Sequence, residues 1–313
     1  MTDIGVMAPR DLAAGDFVAY VRRAEELGFA EVWLVEDCFF RGGFSQAGVA
    51  LAATERIRVG IGIVPAVLRN PALTAMETAA LAQFFPGRLV LGVGHGMPGW
   101  MRQVGAYPAS PLGALEEHLR TVRALLRGET VDDGRLSAVR LDLPVEVVPP
   151  VLAGVRGPKS LALSGREADG TVLAEPVTEE YLAVARGHIG AAAVADGHRV
   201  VAYNVAAVDE DPRAARDAVR PALAWIGEPD WAPHLAPLPF AAEFAALRAR
   251  SADREAFARA LPDAWVDRLA VVGTPGAARE RIAALHAAGA GSVVLIPAGS
   301  DAPAALEALG AVC

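Results

Sequence analysis

Cysteine is nearly absent: Cys38 and Cys313 are the only two in 313 residues. Two thiols build no disulfide framework, and this scarcity suits a reducing cytoplasm. No Lys/Arg-rich run occurs, and the formal charge is -8. A nucleic-acid partner or an anionic membrane surface is therefore not expected. The start, "MTDIGVMAPRDLAAGD", has no basic segment followed by an apolar one, so it does not read as a secretory signal. No apolar run reaches the ~18 residues of a transmembrane helix. The six histidines show no H-E-x-x-H or clustered spacing, so no metal site is expected. His118, His188 and His286 lie inside helical patterns and read as ordinary helix residues. There is no G-x-S-x-G elbow, no complete P-loop and no solenoid repeat.

What is present is an apolar chain, 53% hydrophobic. Three stretches read as a glycine-ended helix followed at once by a strand: "ELGFAEVWLVE", "SGREADGTVLAE" and "AAGAGSVVLIP". Glycine suits the left-handed residue after a helix, and a β-branched run suits a strand buried on both faces. Strands are expected at 3–8, 31–36, 57–64, 89–93, 149–153, 170–174, 199–208 and 292–297. Helical patterns lie between them. Phe17, Val21, Ala24 and Leu27 share one face. Asn70-Pro71 opens a helix whose apolar stripe would be Leu73, Met76, Ala80 and Phe84. Ser110-Pro111 and Thr274-Pro275 open two more. Eight strands alternating with helices predict a (β/α)₈ TIM barrel, with a doubly wound open sheet as the rival. The chain reads as one domain over 1–313, with insertions at about 94–109 and 227–264, after strands four and seven. A small hairpin around Asp133-Gly134, within 129–148, would precede strand five.

Four stretches carry candidate chemistry. "LVLGVGHGMPGW" contains Gly94-His95-Gly96-Met97-Pro98-Gly99, a literal G-x-G-x-x-G. A dinucleotide site needs a helix starting inside those glycines. Pro98, Gly99 and Pro108 are expected to interrupt one, with the next clear helix at Ser110. A strand end where backbone approaches a flat ligand is preferred, beside a plain glycine loop. The second stretch ends strand two at Glu36-Asp37-Cys38. Polar groups at a barrel strand's C-terminal end belong to the active face. Glu36 also reads as a helix-capping acid, and Cys38 as either a nucleophile or a small apolar filler. The third, "VGIGIVPAVLRNP", sets two glycines in a β-branched strand, as at a bulge or a close ligand approach. In the fourth, Gly154 ends a strand and Gly157-Pro158-Lys159-Ser160 opens a helix. This is either a phosphate cradle at a helix N-terminus or a simple turn.

Together and in order, these stretches resemble the luciferase-like family of flavin and deazaflavin oxidoreductases, in its coenzyme F420-dependent branch. That resemblance implies a barrel with its cofactor at the C-terminal strand ends and a cis Gly62-Ile63 peptide behind the ring. Gly62, Ile63, Val64, Cys38, Gly94, His95, Gly96 and Gly154 would adjoin the cofactor. Gly157, Pro158, Lys159 and Ser160 would hold its phosphate. His95, Asp37 and Glu175 would serve as acid or base. Some sugar-phosphate dehydrogenases of the branch carry His where this chain has Cys38 and Glu where it has Met97, so that activity is not expected. Met97 and Trp100 instead suggest an apolar substrate wall. The implied activity is hydride transfer between F420 and a small organic substrate by a homodimer. The alternatives are an FMN-dependent monooxygenase and a cofactor binder without catalysis.

Overall fold

The computed structural model describes residues 3–190 and 197–313. Among the described residues nine strands form: β1 Asp3–Met7, β2 Glu31–Leu34, β3 Arg58–Pro65, β4 Leu89–Gly94, β5 Val151–Gly154, β6 Gly170–Leu173, β7 Arg199–Val208, β8 Val271–Gly273 and β9 Ser292–Pro297. Every pairing among them is parallel. The hydrogen-bonded order runs β6-β5-β4-β3-β2-β1-β9-β7, and β6 pairs with β7 to close the ring. This is a (β/α)₈ barrel whose eighth strand is β9. The short β8 was not anticipated; it pairs only with the C-terminal end of β7.

The outer helices are α1 Phe17–Glu26, α2 Gly43–Ala53, α3 Pro71–Phe84, α4 Pro98–Gln103, α5 Pro111–Leu126, α6 Pro158–Glu167, α7 Glu179–Gly190 and α8 Pro212–Val219. After them come α9 Ala232–Leu235, α10 Ala241–Arg250, α11 Arg254–Ala260, α12 Asp263–Leu269, α13 Pro275–Ala287 and α14 Ala302–Leu309. Several begin as their sequences direct. Asn70 accepts from the Ala72 N–H at 2.9 Å ahead of Pro71, and Ser110 accepts from the Gly113 N–H at 3.2 Å.

Glycine acts as the expected helix stop at Gly28 (φ +94°) and Gly289 (φ +108°). In the third such stretch it does not. There α6 ends at Glu167, and Gly170 is the first residue of β6, where a Cβ would fall 2.3 Å from the Arg199 carbonyl oxygen.

Two further expectations are corrected. Pro98 does not interrupt a helix; it stands at the first position of α4, where its missing N–H is no loss. The dinucleotide motif fails instead because its strand lies in a closed barrel, not an open sheet. The expected hairpin reduces to one antiparallel bridge, Val131 to Val139, with Asp133 capping its own turn. The insertion at 227–264 is mostly helical, and its Phe244 and Phe257 pack in a second core shared with Leu223 before it and Val205 of β7.

The largest correction concerns α3. Its expected apolar stripe faces outward: Phe84 is 73% exposed and Met76 58%, with Leu73 similar. The buried face carries Thr74, Ala75, Thr78, Ala79 and Ala82. Close packing against the barrel takes small side chains, and the Thr78 hydroxyl is satisfied by donating to the Thr74 carbonyl at 2.6 Å.

Inside the barrel, Met7, Trp33, Val90, Leu152, Val172, Val201, Tyr203 and Val294 fill the middle layers. Its N-terminal end is closed by charge. Glu31, fully buried, has Arg199 at 2.6 Å and Arg58 at 3.1 Å on Oε1. On Oε2 it accepts from Ser292 at 2.7 Å and the Trp33 indole at 3.0 Å. Asp3 joins both arginines at 2.7 and 2.6 Å. Four of these residues, Asp3, Arg58, Arg199 and Ser292, open their strands beside Glu31, which opens β2.

Candidate active site

At the opposite end, the C-terminal strand ends bring the expected residues to one face. β2 runs into Glu36, Asp37 and Cys38, β3 ends near Ile63 and Val64, and β4 leads to His95. β5 leads to Gly157 and Ser160, and β6 to Glu175. Parallel strands emptying in one direction make this convergence unavoidable.

The Gly62-Ile63 peptide is cis, and the β3–β4 register shifts between Ile61 and Val64. The Ile63 side chain lies over β4 and β5. A Cβ at Gly154 would fall 2.4 Å from Ile63 Cγ2, and one at Gly94 would fall 3.0 Å from its Cδ1. Gly94 and Gly154 are themselves register partners. Both glycines therefore make room for the Ile63 side chain. Gly62 has a different reason: a Cβ there would fall 1.9 Å from the Tyr203 hydroxyl. Gly96 takes a left-handed turn at φ +70° against Met101 and Pro65.

His95 Nε2 stands 3.1 Å from Ser160 Oγ in the first turn of α6. Its Nδ1 has no partner in hydrogen-bond geometry. Burial holds its pKa below the ordinary imidazole value, and the nearby Pro111 backbone works the other way. Gly157 precedes α6 with no side-chain cap, and a Cβ there would meet nothing within 4 Å. The first N–H groups of α6, those of Lys159 and Ser160, thus have no side-chain cap. Lys159 is exposed and pairs with no carboxylate among the described residues. It is also the single lysine of the chain, all other side-chain ammonium and guanidinium charge being arginine.

The acids divide. Glu36 is structural: it takes a two-pronged contact from Arg69 and accepts from the Gly43 N–H at 2.6 Å, anchoring α2. Asp37 pairs with Arg10 at 2.7 Å, and Arg10 also lies over the Phe40 ring. Glu175 lies deep in the mouth, surrounded by protein, yet part of its surface still meets solvent. Burial raises its pKa, Arg156 and Arg10 pull it down, and Asp37 pushes it up. Burial, then Glu36 and Asp37, push the Cys38 thiol up too, away from the thiolate form. The structure does not join His95 to Asp37 or Glu175 by any hydrogen bond; it forms two clusters, His95 with α6, and Asp37 with Arg10 and Glu175.

Tyr203 was missed by sequence reasoning. Its hydroxyl is buried beneath Gly62 with no partner, and its pKa is driven up by burial and then by Glu31 and Glu175. Period-two alternation in "RVVAYNVAAV" does put Tyr203 on the barrel's inner face with Val201. Arg10 and Arg156 lie on loops and Trp231 ends a short 3₁₀ turn, and none left a pattern. No group of acids, cysteines and histidines suited to a metal occurs among the described residues.

A model of the luciferase-like monooxygenase family matches residues 2–292. The 5,10-methylenetetrahydromethanopterin reductase of Archaeoglobus fulgidus is 28% identical, over 98% of this chain and 97% of its own length. Among solved structures, the coenzyme F420-dependent tetrahydromethanopterin reductase of Methanopyrus kandleri superposes with a TM-score of 0.82 at 21% identity. That match covers 99% of this chain and 97% of the other. The FMN-bound oxygenating constituent of 3,6-diketocamphane monooxygenase from Pseudomonas putida gives 0.74 at 18% identity, covering 99% and 96%. With the family model spanning nearly its whole length and the barrel matching throughout, the chain belongs to the luciferase-like monooxygenase family of oxidoreductases.

Proposed function

We propose that this enzyme is an F420-dependent oxidoreductase that moves a hydride between the deazaflavin and a small organic substrate. The observation that carries the proposal is the Ile63 side chain lying over Gly94 and Gly154, joined to the uncapped start of α6 through His95 and Ser160. An apolar shelf beside an anion-accepting helix end fits a flat ring that carries a phosphate. When bound, the deazaflavin supplies the hydride donor or acceptor. The protein's part is placement and proton handling. Ile63 and Val64 would back the ring. Lys159, Ser160 and the free N–H groups of α6 would hold the phosphate, with Gly157 leaving space for it. His95, bonded to Ser160, would orient the chain between ring and phosphate. Asp37 is already engaged by Arg10, so Glu175 is the freer acid or base, holding or releasing a proton at the substrate atom that gains or loses hydride.

Titrating the purified protein with F420 and with FMN tests this, with binding followed by absorbance. F420 should bind at least 10-fold more tightly, a difference of about 1.4 kcal/mol. Preferential FMN binding would favour an FMN-dependent monooxygenase. Tight F420 binding with no turnover on any small carbonyl or alcohol would leave a binder alone, and binding of neither defeats all three.

The homodimer belongs to the same proposal. α3 exposes Leu73, Met76 and Phe84, and its neighbour α2 exposes Val49. α2 carries no charged residue, and α3 only Glu77, which faces Arg69. Two copies of so neutral and apolar a face meet without stranding a charge. Sedimentation should give a dimer, and Met76→Glu with Phe84→Glu should give a monomer that still binds F420; a wild-type monomer overturns this assignment.

A further inference from the structure

Just after β6, the backbone of residues 175–177 is held by side chains. The Trp231 indole N–H donates to the Glu175 carbonyl at 3.1 Å. His234 Nδ1 lies 3.1 Å from the Pro176 carbonyl. A carbonyl only accepts, so Nδ1 carries the proton and the ring is the Nδ1–H tautomer. Asn204 takes both backbone groups of Val177: its Oδ1 accepts from the N–H at 3.0 Å and its Nδ2 donates to the carbonyl at 3.2 Å. Asn204 and His234 are buried, and buried polar side chains are costly unless they are bonded.

These groups are braced in turn. The His234 ring lies 4.1 Å from that of Tyr181, whose hydroxyl donates to the Arg156 carbonyl at 2.9 Å. The Arg156 guanidinium lies over Trp231 and donates to the Asp230 carbonyl at 3.0 Å. The circuit thus joins β7, the inserted helices, α7 and the loop after β5. Within residues 175–177 the one side chain with chemistry is that of Glu175. Its carboxyl makes no side-chain hydrogen bond or ion pair among the described residues.

We propose that Trp231, His234 and Asn204 are positioning residues that hold the Glu175 carboxyl in the barrel mouth. This rests on the acid–base role of Glu175 proposed above. With the backbone fixed, the carboxyl stays among protein atoms. With it released, the carboxyl turns toward water or Arg156. The charged and titratable groups facing it are Arg156 after β5, Arg10 after β1, Asp37 after β2 and Tyr203 on β7. His234, driven down to about 3 by burial and then by Arg156, stays neutral.

The test needs no substrate. The full chain, labelled with ¹³C at the glutamate carboxyl, is titrated by NMR, and Glu175→Gln identifies the signal. In the wild type this carboxyl should titrate above the ordinary glutamate value of ~4.3. Trp231→Phe keeps the bulk and loses the N–H, and it should move the titration back toward that value. His234→Leu should do the same, and His234→Asn, whose Nδ2 replaces the Nδ1 donor, should restore it. Trp231→Phe alone decides the matter if His234→Leu does not fold. A lowered melting temperature with an unmoved titration means the contacts merely brace the loop, and the proposal falls. If Glu175→Gln retains full F420-linked turnover, the acid–base role itself falls, and the positioning proposal with it.

Discussion

One barrel holds two glutamates at opposite ends, one fully and one partly buried, and their environments push them in opposite directions. For Glu31 at the closed end, burial alone would raise the pKa, but Arg199, the Ser292 and Trp33 hydrogen bonds, and Arg58 overcome it. For Glu175 at the mouth, burial wins. The difference is partners, not depth. Each Glu31 oxygen is met by two donors. Glu175 meets no side-chain donor among the described residues, and the polar atoms above the barrel interior, Tyr203 Oη and His95 Nδ1, are equally unpartnered. One end satisfies its polar groups and stabilises the ring; the other leaves these two without a partner.

The largest effect should come from breaking the closed end. Glu31→Gln leaves Arg58 and Arg199 with only Asp3 and should destabilise the fold by about 3–5 kcal/mol in urea unfolding at neutral pH. Because the Glu31 pKa is lowered on folding, its contribution is present above the unfolded value of ~4.3 and is lost as pH falls through the folded one. The penalty of Glu31→Gln should therefore shrink in acid. A penalty that does not change with pH would show that the network acts by packing alone.

A smaller effect should follow from crowding the mouth. Gly154→Ala puts a Cβ where Ile63 Cγ2 now lies and should cost about 1–3 kcal/mol of stability. Adding Ile63→Ala should recover part of that loss without recovering cofactor affinity. Full recovery of both would mean that Ile63 is not the shelf.

The smallest effect sharpens the contrast most. Glu175 has its pKa raised on folding, so the folded state retains the proton longer and stability falls as pH rises through that range. Glu175→Gln should thus leave the protein as stable in acid and slightly more stable at neutral pH, by a few tenths to about 1 kcal/mol, while turnover is lost. Thermal melts between pH 4 and 8 would show it. Destabilisation at neutral pH would place Glu175 with Glu31 as a structural acid.

The barrel was legible because fully buried parallel strands are continuous β-branched runs, and helix starts such as Asn70-Pro71 and Ser110-Pro111 carry their own caps. All eight barrel strands lie where the runs stood, within two residues at each end. α3 was misread because periodicity marks an apolar face without saying what it faces. Its large side chains point away from the barrel and its small ones toward it. Glu36 and Glu175 look alike as acids after strands, yet one anchors a helix and the other has no such duty. Glu31, first in its strand, carried no sign of its burial.

The chain by itself determined the order of strands and helices, the parallel direction that gathers the strand ends on one face, and the glycines at 94, 154 and 157. These follow from local conformational preference and from the period of apolar residues. Only the tertiary structure decided that Gly94 and Gly154 accommodate Ile63, that Glu31 is sealed among arginines, and that Trp231 and His234 reach back to the backbone of residues 175 and 176. Each joins groups from separate parts of the chain. A side chain's charge state and duty depend on what surrounds it in space, which no local pattern encodes.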